Sequence, residues 1–286
     1  MKTKLTFLIL ILTISISNIF SNDLVDSVVH KEQVYKTIDT IELKVDIFYQ
    51  ESSLLNDNNS AIAFFHGGGW VCGERSDFYE TCKRYASKGM IAFTFQYRFA
   101  DQKTITPIAC VSDAKSAIRW IRENADKYKI NIDKIVASGQ SAGGHLAIST
   151  LMIEDYDEIN EDIQISSKPN AIIVWSVPTV LAEDDWMSEI LLDRKDEISN
   201  IDPIKNIKPD LPPILAFHGT DDEIVPYWTI EKFIYEMKKQ DNIVELVRIE
   251  NKGHFFDEDC MKHARMFNDS VFPRVDEFLV KNNFIK

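Results

Sequence analysis

Residues 134–152 read KIVASGQSAGGHLAISTLM, and the order of residue types predicts a buried strand followed directly by a helix. The two meet at GQSAG, residues 139–143, whose small side chains allow a sharp strand-to-helix turn. Such a turn holds Ser141 exposed at the end of the strand, as a nucleophile elbow does. An ordinary glycine-rich turn is the alternative, because the G-x-S-x-G pattern alone is weakly specific.

Short apolar runs and amphipathic segments alternate along the rest of the chain. Residues 41–49 alternate apolar and polar side chains, as a half-buried strand does. Nearly continuous apolar runs, typical of strands covered on both faces, lie at 61–65, 90–97, 134–139, 171–177 and 212–219. Between them, apolar residues recur at helical spacing over 111–125. This alternation predicts an α/β fold with a mainly parallel sheet and helices on both faces.

Composition and charge limit the classes of protein. The chain has 286 residues, 45% of them hydrophobic, which agrees with a single globular domain over residues 22–286. Acidic residues outnumber basic ones by 45 to 32, the formal charge is −13, and no basic run is present. Nucleic acids and anionic membrane surfaces are therefore disfavoured as partners.

The first residues are typical of a secretory signal peptide. Lys2 and Lys4 precede an apolar run over residues 5–16, and small polar residues follow it. We therefore expect residues 1–21 to be removed and the protein to be exported, periplasmic or secreted, without stable membrane association after cleavage. An uncleaved anchor helix is the alternative.

No pattern in the sequence indicates a metal or another cofactor. C-x-x-C, H-E-x-x-H and His-Cys clusters are missing. Residues 154–162 hold six acids but lack the spacing of a calcium loop, so a solvated helix end is the preferred interpretation. Export permits disulfides, but the sequence leaves the pairing open among Cys72, Cys82, Cys110 and Cys260.

Three further loops follow predicted strands. HGGGW at residues 66–70 matches loops whose backbone amides form an oxyanion hole; a phosphate-binding loop is disfavoured because its lysine and glycine spacing are missing. HGTDDEIVP at 218–226 supplies acids, and GHFF at 253–256 supplies His254 as a general base. We expect His145 and His218 to be structural, and no motif includes His30 or His263.

These motifs in this order resemble the α/β-hydrolase superfamily, on the branch of hormone-sensitive-lipase-like and feruloyl-esterase-like (BD-FAE-type) bacterial esterases. The resemblance includes Tyr97-Arg98 and spans about residues 40–282. It implies a twisted eight-stranded sheet with a small cap insert and the activity of a serine carboxylic-ester hydrolase. It assigns the acid to Asp222, with Asp221 and Glu223 as alternatives, and gives His66 the role of bracing the glycine loop. The implied triad is Ser141, Asp222 and His254, and the implied oxyanion donors are the amides of Gly68, Gly69 and Ala142.

Substrate choice depends on the connection over residues 177–211. Six of the nine prolines lie between Pro169 and Pro213, which predicts irregular structure. This insert is expected to form a small lid or acyl wall, or alternatively a helix that covers the sheet edge. The expected pocket residues are Trp70, Trp186 and Met187.

The family's lipase-like members have a longer N-terminal cap than the 44 residues, 22–65, that precede the glycine loop here. We therefore expect small acyl esters as substrates, acetyl or feruloyl esters among them, either as small molecules or linked to polysaccharide.

Other functions use related machinery and stay open. A formamidase-like amide hydrolase has the same catalytic groups. A prolyl-oligopeptidase-like peptidase has similar motifs but a large propeller, for which the chain leaves no room. A ligand-binding member of the fold that lacks catalysis is disfavoured, because serine, acid and histidine are all present.

Overall fold

The computed structural model describes residues 27–101, 103–182, 185–256 and 271–286. The predicted signal peptide, Cys260 and His263 lie outside these ranges. Within them, the strands form one eight-stranded sheet in the order β1-β2-β4-β3-β5-β6-β7-β8. The strands are β1 (Val28–Ile38), β2 (Ile41–Gln50), β3 (Asn59–Phe65), β4 (Ile91–Phe95), β5 (Ile130–Gln140), β6 (Ala171–Trp175), β7 (Ile214–Gly219) and β8 (Val244–Ile249).

The sheet is parallel except at one edge, where β2 runs antiparallel to both β1 and β4. Parallel pairing from β4 to β8 brings the carboxyl ends of β3, β5, β6, β7 and β8 to the same edge. The prediction of an eight-stranded, mainly parallel sheet is thereby confirmed. All of the motif loops that follow these strands consequently lie at that edge.

Helices cover both faces of the sheet. They are α1 (Tyr79–Ser87), α2 (Pro107–Glu123), α3 (Ala125–Tyr128), α4 (Ala142–Met152), α5 (Asp185–Ile190), α6 (Ile198–Ile201), α7 (Tyr227–Lys239) and α8 (Phe272–Lys281). Side chains alternate along each strand, so Ile62 and Phe64 pack in the cluster with α1 and α8. Ala61, Ala63 and Phe65 pack in the opposite cluster, which includes α2, α4 and α7.

The connection between β6 and β7 contains short helical pieces. Helices α5 and α6 lie in it, together with 3₁₀ turns at Leu192–Glu197 and Pro203–Lys205. Apolar side chains of this segment, among them Ile190 and Ile201, are fully buried in the same cluster as α4. The segment is therefore packed onto the elbow helix.

Three of the six acids of residues 154–162, namely Asp157, Glu158 and Glu161, are partly buried and ion-paired. Lys115 and Arg119, one turn apart on α2, both bind Asp157, at 2.7 and 2.6 Å. Glu158 lies 2.7 Å from a buried lysine of β1. The predicted solvated helix end is wrong for these three acids, because cations distant in sequence reach them, whereas Glu154, Asp155 and Asp162 are exposed to solvent. Among the described residues, no group of acids, histidines and cysteines is arranged to hold a metal ion.

Two further findings concern the membrane and the cysteines. In the described ranges, no helix combines the length and the apolar character needed to cross a bilayer. Cys72, Cys82 and Cys110 do not pair with one another.

Candidate active site

Ser141 stands on the sharp turn between β5 and α4. Its φ is +52° and its ψ −124°, a strained conformation for a residue with a side chain. Its amide donates to the carbonyl of Trp175 at 2.9 Å, which fixes the turn against β6. A Cβ at Gly143 would lie 2.0 Å from the carbonyl oxygen of Phe65, and one at Gly139 would lie 2.4 Å from that of Gly143. The glycines are therefore required by the close approach of β3 to the turn.

Asp222 and His254 form a buried pair. Nδ1 of His254 lies 2.8 Å from Oδ2 of Asp222, and Oδ1 accepts from the amides of Ile224 and Val225 at 3.0 and 2.8 Å. Burial alone would raise the pKa of Asp222, but hydrogen bonds from His218 and His254 hold it below its ordinary value. The carboxylate thus stays charged and fixes the imidazole with Nδ1 protonated, leaving Nε2 as the base.

Hydrogen bonds through Ser176 bring the histidine loop to the serine turn. The hydroxyl of Ser176 donates to the carbonyl of His254 at 2.8 Å, and its amide donates to Phe217 at 2.9 Å. Ser176 directly follows Trp175, the residue to which the amide of Ser141 donates. The loops after β5, β6 and β8 and the end of β7 are therefore joined at one place.

The first peptide of the glycine loop is held through its carbonyl. Gly67 O accepts from Nδ1 of His66 at 2.8 Å and from the hydroxyl of Tyr97 at 3.4 Å. The N–H of a trans peptide points away from its C=O. These two donors therefore set the direction of the N–H of Gly68, and they give His66 the bracing contact expected from the resemblance.

The second peptide is held in the same way. Gly68 O accepts from the amides of Val71 and Cys72 at 3.0 and 3.1 Å, which directs the N–H of Gly69 to the other side. Gly68 has a φ of +115°, and a Cβ there would lie 2.1 Å from the carbonyl oxygen of Cys72. In the described part of the chain, the amides of Gly68, Gly69 and Ala142 have no acceptor. Three fixed, unused donors are what an oxyanion requires.

The three predicted pocket residues lie in different environments. Trp70 is buried in the core and donates from Nε1 to Nδ1 of His145 at 3.3 Å. Met187, in α5 of the segment between β6 and β7, is fully buried. Trp186 is 37% exposed, and its Nε1 lies 3.3 Å from the carbonyl of Gly69, over the glycine loop. Of these three side chains, that of Trp186 alone reaches solvent.

His145 is a packing residue. It is fully buried on α4, and its Nε2 donates to the carbonyl of Ile201 at 2.8 Å while Nδ1 accepts from Trp70. Burial lowers its pKa to about 4. The ring is thus neutral and connects the elbow helix to the segment between β6 and β7.

Two contacts near the site were not predicted from the sequence. His218 Nε2 lies 3.2 Å from Oδ2 of Asp222, so the carboxylate faces two imidazoles. Arg98 binds both oxygens of the fully buried Asp113, at 2.8 to 3.1 Å. The contact of His218 could have been found from its position four residues before Asp222, at the end of β7. Asp113 lies in α2 and is part of no motif, so the sequence gives no signal for its contact with Arg98.

Comparisons with known proteins show similarity to esterases. The BD-FAE family model matches residues 45–236. The native structure of esterase 2 from the planctomycete Thermogutta terrifontis is similar, with 37% identity, a TM-score of 0.81, and coverage of 90% of this chain and 93% of that one.

Curated relatives are more distant. Esterase LipC of Mycobacterium tuberculosis is 25% identical over 247 residues, 80% of this chain and 60% of that protein. A probable isoprenylcysteine alpha-carbonyl methylesterase of Oryza sativa is 28% identical over 221 residues, 68% of this chain and 51% of that protein. The chain thus spans 60% and 51% of the lengths of these two curated relatives. Together the comparisons confirm the α/β-hydrolase fold and support a carboxylesterase-type hydrolase, as predicted.

Proposed function

The chain belongs to the BD-FAE family, and from this membership we propose that it is a serine carboxylic-ester hydrolase acting through an acyl-enzyme on small acyl esters. The observation that carries the proposal is the convergence of three features at one edge of the sheet. They are the strained Ser141, the hydrogen-bonded pair of Asp222 and His254, and the glycine loop whose amides are free to donate.

The chemistry follows from the placement of these groups. His254 takes the proton of Ser141 at Nε2 while Oγ attacks the ester carbonyl. The amides of Gly68, Gly69 and Ala142 receive the oxyanion, and each such donor contributes about 3 to 4 kcal/mol to transition-state stabilisation. His254 then protonates the leaving alcohol. Water, deprotonated by the same imidazole, releases the acid from the serine.

Two observations support small acyl groups. The indole of Trp186 covers the glycine loop, since its Nε1 lies 3.3 Å from Gly69 O, and helix α5, which carries it, has only six residues. Structures of Thermogutta esterase 2 include complexes with propionate and with butyrate. Within this class, acetyl and feruloyl esters of polysaccharide are the substrates we propose.

A panel of p-nitrophenyl esters, from acetate to decanoate, together with a feruloyl ester, tests the proposal. Ser141→Ala should lower kcat/KM by about 10⁴-fold or more. Ser138→Ala is the matched control, because this buried hydroxyl on β5 has no hydrogen-bond partner among the described residues. Retained turnover in Ser141→Ala would exclude an acyl-enzyme mechanism at Ser141. A preference for decanoate would contradict the small-acyl assignment, and turnover of amides without esters would overturn the esterase itself.

Covalent trapping tests the intermediate directly. Paraoxon phosphorylates Thermogutta esterase 2. In this chain it should add one phosphoryl group to the peptide that contains Ser141, detected by mass spectrometry, and none in Ser141→Ala. A modified peptide elsewhere would refute the assigned nucleophile.

We also propose export, on the pattern of residues 1–21. N-terminal sequencing of the protein from its native host should begin near residue 22. A first residue of Met1 in the exported fraction would show that the segment is not cleaved.

A further inference from the structure

We propose that His218 is a positioning residue for the catalytic acid, which it holds by a second imidazole hydrogen bond, and that it thereby sets the basicity of His254. This role deepens the proposed function and rests on it. His218 contacts the carboxylate of Asp222, so it acts through the acid and not on the substrate.

The protonation of one ring nitrogen follows from its neighbours. Nε2 of His218 lies 2.8 Å from the carbonyl oxygen of Val225 and 3.2 Å from Oδ2 of Asp222. A carbonyl and a carboxylate can only accept, so Nε2 must carry a proton shared between them. One N–H thus connects the acid to the backbone of its own loop.

The other ring nitrogen fixes the tautomer. His218 is fully buried, and its Nδ1 has no hydrogen-bond partner in the described part of the chain. A proton on Nδ1 would be a buried donor without an acceptor, which costs more than an unused lone pair. The ring is therefore held as the Nε2–H tautomer and presents a fixed donor to Asp222.

The charge on Asp222 is shared among four donors. The amides of Ile224 and Val225 occupy Oδ1, while His254 and His218 share Oδ2. Each donor to Oδ2 reduces the negative charge that stabilises a protonated His254. Without the donor from His218, the carboxylate would hold the proton on His254 more strongly, and the base would form at higher pH.

Other ionisable groups around His218 are arranged so that they do not replace this donor. Tyr227 of α7 lies edge-on to the ring at 5.8 Å between centroids. Arg248 lies opposite His218 in the pairing of β7 with β8, but its side chain is exposed and binds Glu250 at 3.2 Å. Beside the acid, Glu223 is exposed to solvent. Asp222 is thus the ionised group that the ring contacts.

The test compares a variant that keeps a donor with one that removes it. The pH dependence of kcat/KM for p-nitrophenyl acetate is measured for wild type, His218→Gln and His218→Leu. His218→Leu should raise the kinetic pKa of the acid limb by about half a unit or more, whereas His218→Gln should keep the wild-type value. His30→Gln is the matched control, because His30 binds Asp46 on β2, away from the site, and should leave the profile unchanged.

Two results overturn the proposal: a folded His218→Leu enzyme with the wild-type kinetic pKa, or equal shifts in the Leu and Gln variants. Should His218→Leu fail to fold, two-bond ¹H–¹⁵N correlation spectra of the wild-type imidazoles decide the case. An Nε2–H tautomer for His218 supports the role, and an Nδ1–H tautomer refutes it. The spectra require no turnover, so a wild-type protein inactive on esters would refute the proposed function separately.

Discussion

His145 should make this protein sensitive to mild acid. Its ring is fully buried, with Nδ1 accepting from the indole of Trp70 and Nε2 donating to Ile201 O. A second proton on the ring would make Nδ1 a donor, and this donor would face the indole N–H of Trp70, which is also a donor. Burial accordingly lowers the pKa of His145 to about 4, from an ordinary value of 6.5. The unfolded chain therefore takes up this proton at higher pH than the folded one.

The sign and size of the effect follow by linkage. Because the folded pKa is the lower one, stability is complete above about pH 6.5 and falls as the pH drops towards 4, where the loss levels off. A difference of about 2.5 units at 1.36 kcal/mol each gives a total of about 3 kcal/mol, of which about 2 kcal/mol is lost between pH 7 and pH 4.5.

Urea unfolding at pH 7 and pH 4.5 measures this loss, with His145→Gln as the variant that cannot titrate. At pH 7 the variant should be less stable by about 1 to 3 kcal/mol, because hydrogen bonds of the ring are lost. On acidification, however, wild type should lose about 2 kcal/mol more than the variant. The carboxylates titrate in both proteins, so their contribution to the loss of stability cancels in the comparison. Equal losses would refute the assignment of acid sensitivity to His145.

Two substitutions of acids should differ in their consequences for stability. Asp222→Asn should leave the fold intact by circular dichroism but lower kcat about 10⁴-fold, because the amide no longer enforces the tautomer of His254; near wild-type turnover would contradict the assigned acid. Asp113→Asn should lower the free energy of unfolding by about 3 to 5 kcal/mol in urea titrations, because Arg98 and Lys36 lose a buried charge partner. A loss below about 1 kcal/mol would show that these cations are stabilised elsewhere.

The central strands could be predicted because they are covered on both faces. Strands β3, β4, β6 and β7 and the second half of β5 consist of buried side chains, so their sequences are nearly continuous apolar runs. The sequence does not reveal strand β1, because its pattern VVHKEQVYKTI includes several exposed polar side chains. This strand lies at the edge of the sheet. An edge strand depends on its partner for stability, and that partner is not visible in its own composition.

The candidate catalytic residues could be predicted because each stands in a local motif at a strand end. The partners that orient them are harder to predict, because they come from distant segments. The acids of 154–162 illustrate this limit: their spacing indicates only charge, whereas Lys115 and Arg119 of α2 form ion pairs with Asp157 and Glu161. Their pairing depends on how α2 packs beside the segment, which spacing within either segment does not specify.

The pair Tyr97-Arg98, which is part of the resemblance seen in the sequence, connects the glycine loop to α2. The hydroxyl of Tyr97 donates to the carbonyl of His66 at 2.9 Å and contacts Gly67 O, which directs the first amide of the loop. The next residue, Arg98, is held by three hydrogen bonds from its side chain to Asp113, and its own amide donates to the same carboxylate at 2.8 Å. The position of Tyr97 is therefore set by a buried charge on α2. Since that carboxylate holds the residue next to Tyr97, its loss should disturb the oxyanion donors as well as the fold, and kcat for Asp113→Asn should fall in enzyme that remains folded.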